Sequence, residues 1–262
     1  MLISIVIPTF NAEKTIATCL SSIALQTFKD YEVLIIDGGS ADATVKMAHT
    51  FVPRLPMLRI FSESDKGIYD AMNKAVGYAE GSWLYFLGSD DSFFSIDVLE
   101  KIASAMAETQ IDVVYGDITS PRFNGNYGGP FSAARILFQN ISHQAIFLNK
   151  RIFKQIGFFD LQYKAHADWD HNMRWLLNPM IKKVYTPLII ANYADGGYSS
   201  VHGDEVFQKI KLFKYLRYSK ASVPFCQRLK IALQYEKGKL RARQYRDFLH
   251  NLLAIGRLFL FF

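Results

Sequence analysis

Four short apolar runs in the first part of the chain each end in residues able to hold a ligand. They end in Pro8-Thr9-Phe10-Asn11, Asp37-Gly38-Gly39-Ser40, Glu63-Ser64-Asp65 and Gly88-Ser89-Asp90-Asp91. Asn, Asp and Ser also dominate turns and helix caps, so any one cluster reads as well structurally as functionally. Four at successive strand ends are harder to explain by turns alone. Asp90 and Asp91 are the sharpest pair, because adjacent carboxylates repel each other unless a cation or solvent offsets them. Hard oxygen ligands suit Mg2+ or Mn2+, which share their sites with substrate phosphates. The competing reading makes Asp91 a cap for the helix after Ser95. A further constellation lies in SESDKGIYDAMNKAVGYAEG (62–81). Asp70, Asn73, Lys74 and Gly77 fall on one helical stripe, while Ile68, Met72, Ala75, Val76 and Ala79 can face a core. Lys66-Gly67 leads into that helix, whose N-terminus favours anions. The plain alternative is a solvated face with an Asp70–Lys74 pair. Neither GxxxxGK[ST] nor GxGxxG occurs, which argues against P-loop and dinucleotide-binding readings.

The elements that must position these residues alternate. ISIVIP (3–8), YEVLIID (31–37), MLRIFS (57–62) and WLYFLG (83–88) read as strands. Helical periodicity separates them, through Ile16, Cys19, Leu20 and Ile23 and then at 41–52, 68–79 and 95–108. This order predicts an α/β fold with a mostly parallel sheet, in which ligands bind beyond the carboxyl ends of the strands. After Gly116 the pattern loosens. PRFNGNYGGP (121–130) reads as a loop, HQAIFL (143–148) as a strand, and KKVYTPLIIANY (182–193) as one or two strands. A helix is expected after His166, and the chain reads as helical from Asp204 onward.

The chain has 262 residues, of which 50% are hydrophobic and 15% aromatic, which excludes global disorder. Two distant cysteines, Cys19 and Cys226, fit reduced thiols and no metal or disulfide framework. The N-terminus lacks the basic region and cleavage site of a signal peptide, and no run of 18 apolar residues suggests a transmembrane helix. The net charge of +6 is uneven. From Val206 onward, thirteen Lys and Arg face only Glu236 and Asp247, so residues 1–205 are net acidic. A basic tail rich in Phe, Tyr and Leu suits an anionic membrane surface, and the terminal LLAIGRLFLFF could lie in its interface. The alternative is a tail packed on the catalytic body or a second subunit. No nucleic-acid motif accompanies it.

SIVIPTFNAEKTIATCLSSIALQTFKDYEVLIIDGGSADAT, ESDKGIYDAMNKA and FLGSDD, in this order and spacing, resemble the family 2 glycosyltransferases over about residues 2–200. The resemblance implies the GT-A fold, with a helical basic C-terminal extension on this chain. The expected division is a catalytic domain at 1–205, with a nucleotide-binding half at 1–115 and an acceptor half at 116–205, then an extension at 206–262. It also implies an inverting enzyme of bacterial surface-polysaccharide synthesis, such as lipopolysaccharide. Such an enzyme moves a sugar from a nucleotide, UDP being the family's commonest, to a saccharide or polyprenyl-linked saccharide. Pro8, Thr9 and Asn11 would border the nucleotide and Asp37 would bond the base. Glu63, Asp65, Lys66 and Asn73 would contact nucleotide and sugar. Asp90 would lie near the ribose, and Asp91 would hold Mn2+ or Mg2+. The resemblance makes Asp168 in HADWDHNMRW the catalytic base; the preceding acid of the family is Ala167 here, so Asp170 is a second claimant. His143-Gln144 also falls at a family-like position, although a lone His beside a strand is commonly structural. His202 could reach the cation if the loop with Gly196-Gly197 folds over the site. The expected location is cytoplasmic, peripheral at the inner face of the membrane. The rivals are a nucleotidyltransferase, which PTFNAEKT after the first strand argues against, and an inactive nucleotide- or carbohydrate-binding paralogue.

Overall fold

The two strands that open the chain are apolar throughout because both of their faces are covered. All seven residues of β1 (Ile3–Thr9) and of β2 (Tyr31–Asp37) are buried, the pattern of a parallel strand between layers of helix. The structure, a computed structural model, describes residues 2–107, 110–195 and 203–241. The remaining elements of the first half are α1 (Ile16–Ala24), α2 (Thr44–His49), β3 (Leu58–Ser62), α3 (Ile68–Tyr78), β4 (Trp83–Phe86), β5 (Ser92–Phe93) and α4 (Val98–Met106). The second half contains β6 (Val113–Ser120), β7 (Gly125–Tyr127), α5 (Arg135–Phe138), β8 (Ile146–Asn149), α6 (Ile152–Ile156), α7 (Ala167–Leu176) and β9 (Lys183–Asn192). Helices α8 (Glu205–Tyr218) and α9 (Phe225–Arg241) follow.

Among the described residues the strands form one sheet in the order β3-β2-β1-β4-β8-β6-β9-β5, with β7 paired to β6. The α/β architecture is as expected, but the sheet is mixed rather than mostly parallel, with four parallel and four antiparallel strand pairs among the described residues. β1 pairs in parallel with β2 and β4, and β2 with β3. β8 then enters antiparallel between β4 and β6. It needs no crossover helix on that side, and it is reached through a single 3-10 turn at His143–Ala145. KKVYTPLIIANY forms one strand, β9, parallel to β6 with a register shift beside Gly116. A Cβ on Gly116 would lie 2.5 Å from the Leu188 carbonyl oxygen, so only glycine admits β9 there.

Helix α1 buries Ile16, Cys19, Leu20 and Ile23 at the predicted spacing. Each apolar side chain moved into the core stabilises by roughly 1.5–3 kcal/mol. The C-terminal helices are part of the body. Phe207, Leu212, Tyr215 and Leu216 of α8 and Ile231, Ala232 and Tyr235 of α9 are buried. Three of the tail's cations also turn inward. Lys211 Nζ lies 3.9 Å from the Trp169 ring centre, Lys214 pairs with Asp170, and Arg228 donates to the Leu216 carbonyl. Of the two readings of the tail, packing onto the catalytic body holds for residues 205–238.

Candidate active site

Because β1, β2 and β4 run side by side in one direction, their carboxyl ends open at one rim. A cleft of about 730 Å3 lies there. Residues 8–12, Gly38, residues 65–71 and residues 88–90 form one side, and His143, Gln144, Leu161, residues 163–165 and Tyr193 contribute to the other. The loops after β1 and β2 are stitched together. Asn11 N–H donates to Ser40 Oγ (2.8 Å), and Ala41 N–H donates to Asn11 Oδ1 (3.0 Å). Asn11 holds a left-handed φ of 48°, which asparagine tolerates better than most residues. Phe10 stands 64% exposed at the mouth.

Of the residues expected to bind donor, Pro8, Thr9, Asn11, Asp65, Lys66 and Asp90 line this cleft. The others stand differently. Asp37 is fully buried and receives hydrogen bonds from Gly39 N–H, Ser40 N–H, Ser40 Oγ and Ser62 Oγ. It builds the loop that presents Gly38 to the cleft. A Cβ at Gly38 would lie 2.7 Å from Asp65 Oδ2, which shows how closely the two loops approach. Glu63 points to Lys74, at 3.0 Å. Asn73 is taken up on the protein itself, because its Nδ2 donates to the Phe159 carbonyl (2.9 Å) and its Oδ1 accepts from Phe159 N–H (3.0 Å). The solvated-face alternative for α3 therefore describes Lys74 and Asp70, which pair at 3.7 Å, and Asn73 anchors α3 to the segment before α7.

Behind the rim sits Asp91, 2% exposed. Its Oδ2 accepts from Gln144 Nε2 (2.7 Å) and its Oδ1 from Ala194 N–H (2.8 Å). Burial, then the Asp90 charge, pushes its pKa up to about 6. A Cβ on Gly88 would run into both carboxylates, so glycine is what lets the pair fold back on the end of β4. The Cys19 thiol beneath is held protonated by burial and by the same two acids. The described residues contain no group of three or more His, Cys, Asp or Glu that could hold a metal. Two crowded carboxylates, one of them uncharged more readily than normal, still fit a divalent cation completed by phosphate oxygens and water. His202 and Gly196-Gly197 lie outside the described residues.

Asp168 stands buried at the start of α7, behind the lining residues Tyr69 and His143. Tyr69 OH shares its one proton between the Ala165 carbonyl (3.0 Å) and Asp168 Oδ1 (2.9 Å), Trp169 N–H donates to the same Oδ1 (2.8 Å), and Asn140 Nδ2 donates to Oδ2 (2.9 Å). His143 Nδ1 lies 3.7 Å from the same Oδ2. Although burial alone would raise its pKa, the donors and His143 win, and the carboxyl sits below the ordinary range. Asp170, one turn-position away, faces elsewhere. Lys214 Nζ lies 2.9 Å and Arg174 Nε 3.1 Å from it, and Tyr218 OH donates to it at 3.2 Å. It ties α7 to α8. Gln144, bonded to Asp91, and Asn140, bonded to Asp168, belong to one short segment; only the first carried a sequence signal.

The whole arrangement is a cleft of about 730 Å3, with buried Asp91 and Asp168 each bonded to a residue of its lining, Gln144 and Tyr69. Residues 4–173 match the model for glycosyl transferase family 2. The chain belongs to that family. A PGL/p-HBAD biosynthesis glycosyltransferase of Mycobacterium bovis is 43% identical over 210 residues, covering 79% of this chain and 82% of the relative. A UDP-Glc:alpha-D-GlcNAc-diphosphoundecaprenol beta-1,3-glucosyltransferase of Escherichia coli is 37% identical over 117 residues, 44% of this chain and 45% of that one. Among solved structures, S. aureus TarS 1-349 in complex with UDP-GlcNAc superimposes with a TM-score of 0.70 at 22% identity. The match covers 88% of this chain and 70% of that one. That likeness establishes the GT-A fold of this glycosyltransferase.

Proposed function

We propose that this glycosyltransferase moves a sugar from UDP to a saccharide hydroxyl on a lipid-linked acceptor in glycolipid or surface-polysaccharide synthesis, with inversion at the transferred carbon. The observation that supports the reading is that the strand-end residues Pro8, Thr9, Asn11, Asp65, Lys66 and Asp90 line one cleft, with Asp168 bonded at 2.9 Å to Tyr69 of the same lining and its carboxyl below the ordinary pKa range. Family membership supports a nucleotide-sugar donor, and the E. coli relative, which acts on a diphosphoundecaprenol-linked sugar with UDP-Glc, supports UDP and a lipid-linked acceptor. The loops with Pro8, Thr9, Asn11, Asp65 and Lys66 would hold the nucleotide, with Asp90 toward the ribose. Asp91 would hold Mn2+ or Mg2+, which would neutralise charge developing on the departing diphosphate. Asp168 accepts the proton of the attacking hydroxyl on the face opposite the leaving group. His143 and then Tyr69 offset the burial that would otherwise raise its pKa.

The terminal LLAIGRLFLFF, on which the expected inner-membrane location leaned, lies outside the described residues, so this reading draws on the outward stripe of α8 instead. Val206 and Phe213 are about half exposed, and Lys209 and Arg217 stand exposed on the same face. No described helix is long and apolar enough to cross a membrane. The division at residue 205 marks where the family-like part ends in this reading, although α8 packs on it. Asp168→Asn tests the chemistry: donor affinity should stay within about twofold while turnover falls about 100-fold or more. NMR of the product's anomeric proton reads the stereochemistry. Turnover within threefold of wild type, or a retained configuration, would remove the base or the inversion from this reading.

A further inference from the structure

Behind Asp168 runs a one-way line of hydrogen bonds. The Trp175 indole N–H donates to Asn172 Oδ1 (2.9 Å). Asn172 Nδ2 donates to Asn140 Oδ1 (2.9 Å) and to the Ile141 carbonyl (2.8 Å). Asn140 Nδ2 then donates to Asp168 Oδ2 (2.9 Å). An amide can present either end to a neighbour, yet neither amide is free to do so here. An indole nitrogen can only donate, which turns the Asn172 oxygen towards it and the Asn172 nitrogen away. The Ile141 carbonyl, which can only accept, demands the same orientation. Asn140 must therefore offer its oxygen to Asn172 and its N–H group to Asp168. With Trp169 N–H already donating to Oδ1, a fixed donor then faces each oxygen, which suits a carboxylate and leaves no oxygen without a donor for a proton to occupy.

The line costs little to order. Asp168, Asn172 and Trp175 stand at i, i+4 and i+7 on one face of α7, and Trp175 and Asn172 are 0% and 2% exposed. Only Asn140 comes from another segment. In a buried line each bond polarises the next.

We infer that Trp175, Asn172 and Asn140 are positioning residues that orient the Asp168 carboxylate and favour its charged form. The inference rests on the reading of Asp168 as the base, and it assigns the line a purpose beyond packing. The other groups facing Asp168 are Tyr69 from α3, His143 from the turn before β8, His166 at the head of α7 and Tyr127 from β7, with Asp204 acting on Tyr69, Lys211 on His166 and Arg135 on Tyr127. All remain when Asn140 is changed, so loss of one donor is isolated.

The test is a titration of the Asp168 carboxyl by carbon-13 NMR in the full chain, the resonance being assigned by its loss in Asp168→Asn. In Asn140→Ala the midpoint should rise by about one pH unit, as expected for a lost hydrogen bond to a charged group. Turnover should fall about tenfold with donor KM unchanged. In Trp175→Phe, which removes only the indole donor, the midpoint should rise in the same direction by less. If circular dichroism shows that Trp175→Phe is unfolded, Asn172→Ser takes its place. An unmoved midpoint in Asn140→Ala overturns the inference. A shift there with none in Trp175→Phe or its substitute confines the device to Asn140 and overturns the line. Normal turnover in Asp168→Asn, by contrast, would overturn the base assignment while the titration still judged the line.

Discussion

Replacing Asp170 by asparagine should separate the two acids of the HADWD segment, one for chemistry and one for architecture. The Asp170 carboxylate is 1% exposed and lies between Lys214, Arg174 and the Tyr218 hydroxyl. Neutralising it leaves two cations whose side chains are only 16% and 14% exposed. Removing one partner of a buried pair costs about 3–5 kcal/mol. Lys214 keeps Asp160 at 3.6 Å and Arg174 keeps the Ile156 and Phe158 carbonyls, which places the cost near the lower end, about 3 kcal/mol. For a chain of this size that lowers Tm by roughly 6–12 °C. Lys214→Met added to Asp170→Asn should recover part of the loss, because no unpaired ammonium then remains. Scanning calorimetry and urea titration measure the stability, and turnover is measured well below the lower Tm. Turnover in Asp170→Asn should stay within about threefold of wild type, against the loss expected in Asp168→Asn. An unchanged Tm would refute the energetic argument. A hundredfold loss of turnover in folded Asp170→Asn would move the base to residue 170.

Three further outcomes follow from the charges. Asp91 carries a folded pKa of about 6 against 3.8, so its proton is held more tightly in the folded state and its charged form opposes folding by about 3 kcal/mol above pH 6. In EDTA at pH 8, Asp91→Asn should therefore be more stable than wild type by calorimetry while losing any Mn2+-dependent gain in donor affinity; equal stability would contradict the assignment of strain to that charge. Asp168 has the opposite sign, a lowered folded pKa, so its contribution is present above the unfolded value and lost as pH falls through the folded one. The urea-midpoint gap between wild type and Asp168→Asn should stay level from about pH 8 to 5 and narrow only below the ordinary carboxylate range, and closure near pH 6 would refute this. Finally, Lys209→Glu with Phe213→Ala should reduce co-sedimentation with anionic vesicles at low salt and leave turnover on a soluble acceptor intact; equal sedimentation would reject the α8 face as the membrane contact.

The strand ends of the nucleotide-binding half were legible because each lies within a few residues of its own strand. The runs at 3–8 and 31–37 and the stripe of Ile16, Cys19, Leu20 and Ile23 correspond closely to β1, β2 and α1. Asn73 was misplaced by the same local logic. Helical spacing put it with Asp70 and Lys74, but its partner is the backbone of Phe159, far along the chain. Asn140 and Asn172 gave no signal, since a polar residue inside an apolar segment acquires meaning only from the residue it meets. The tail's charge was read correctly as a sum. Its distribution was not, because Lys211 and Lys214 face inward at helical positions indistinguishable from those of Lys209 and Arg217.

The seam between α7 and α8 also bears on how such enzymes diversify. Asp204 caps α8 through Phe207 N–H and reaches the Ala165 N–H with its other oxygen, three residues before Asp168. The chain after the family-matched segment is thus mechanically continuous with the start of α7, which carries Asp168. A tail grafted from a relative brings its own partners for Asp170 and Ala165, so chimeras should work only when both sides of the seam are exchanged together. Recombination that respects the family boundary at residue 173 would cut through α7 itself, and drift in the tail becomes a route to altered turnover without a single change in the cleft.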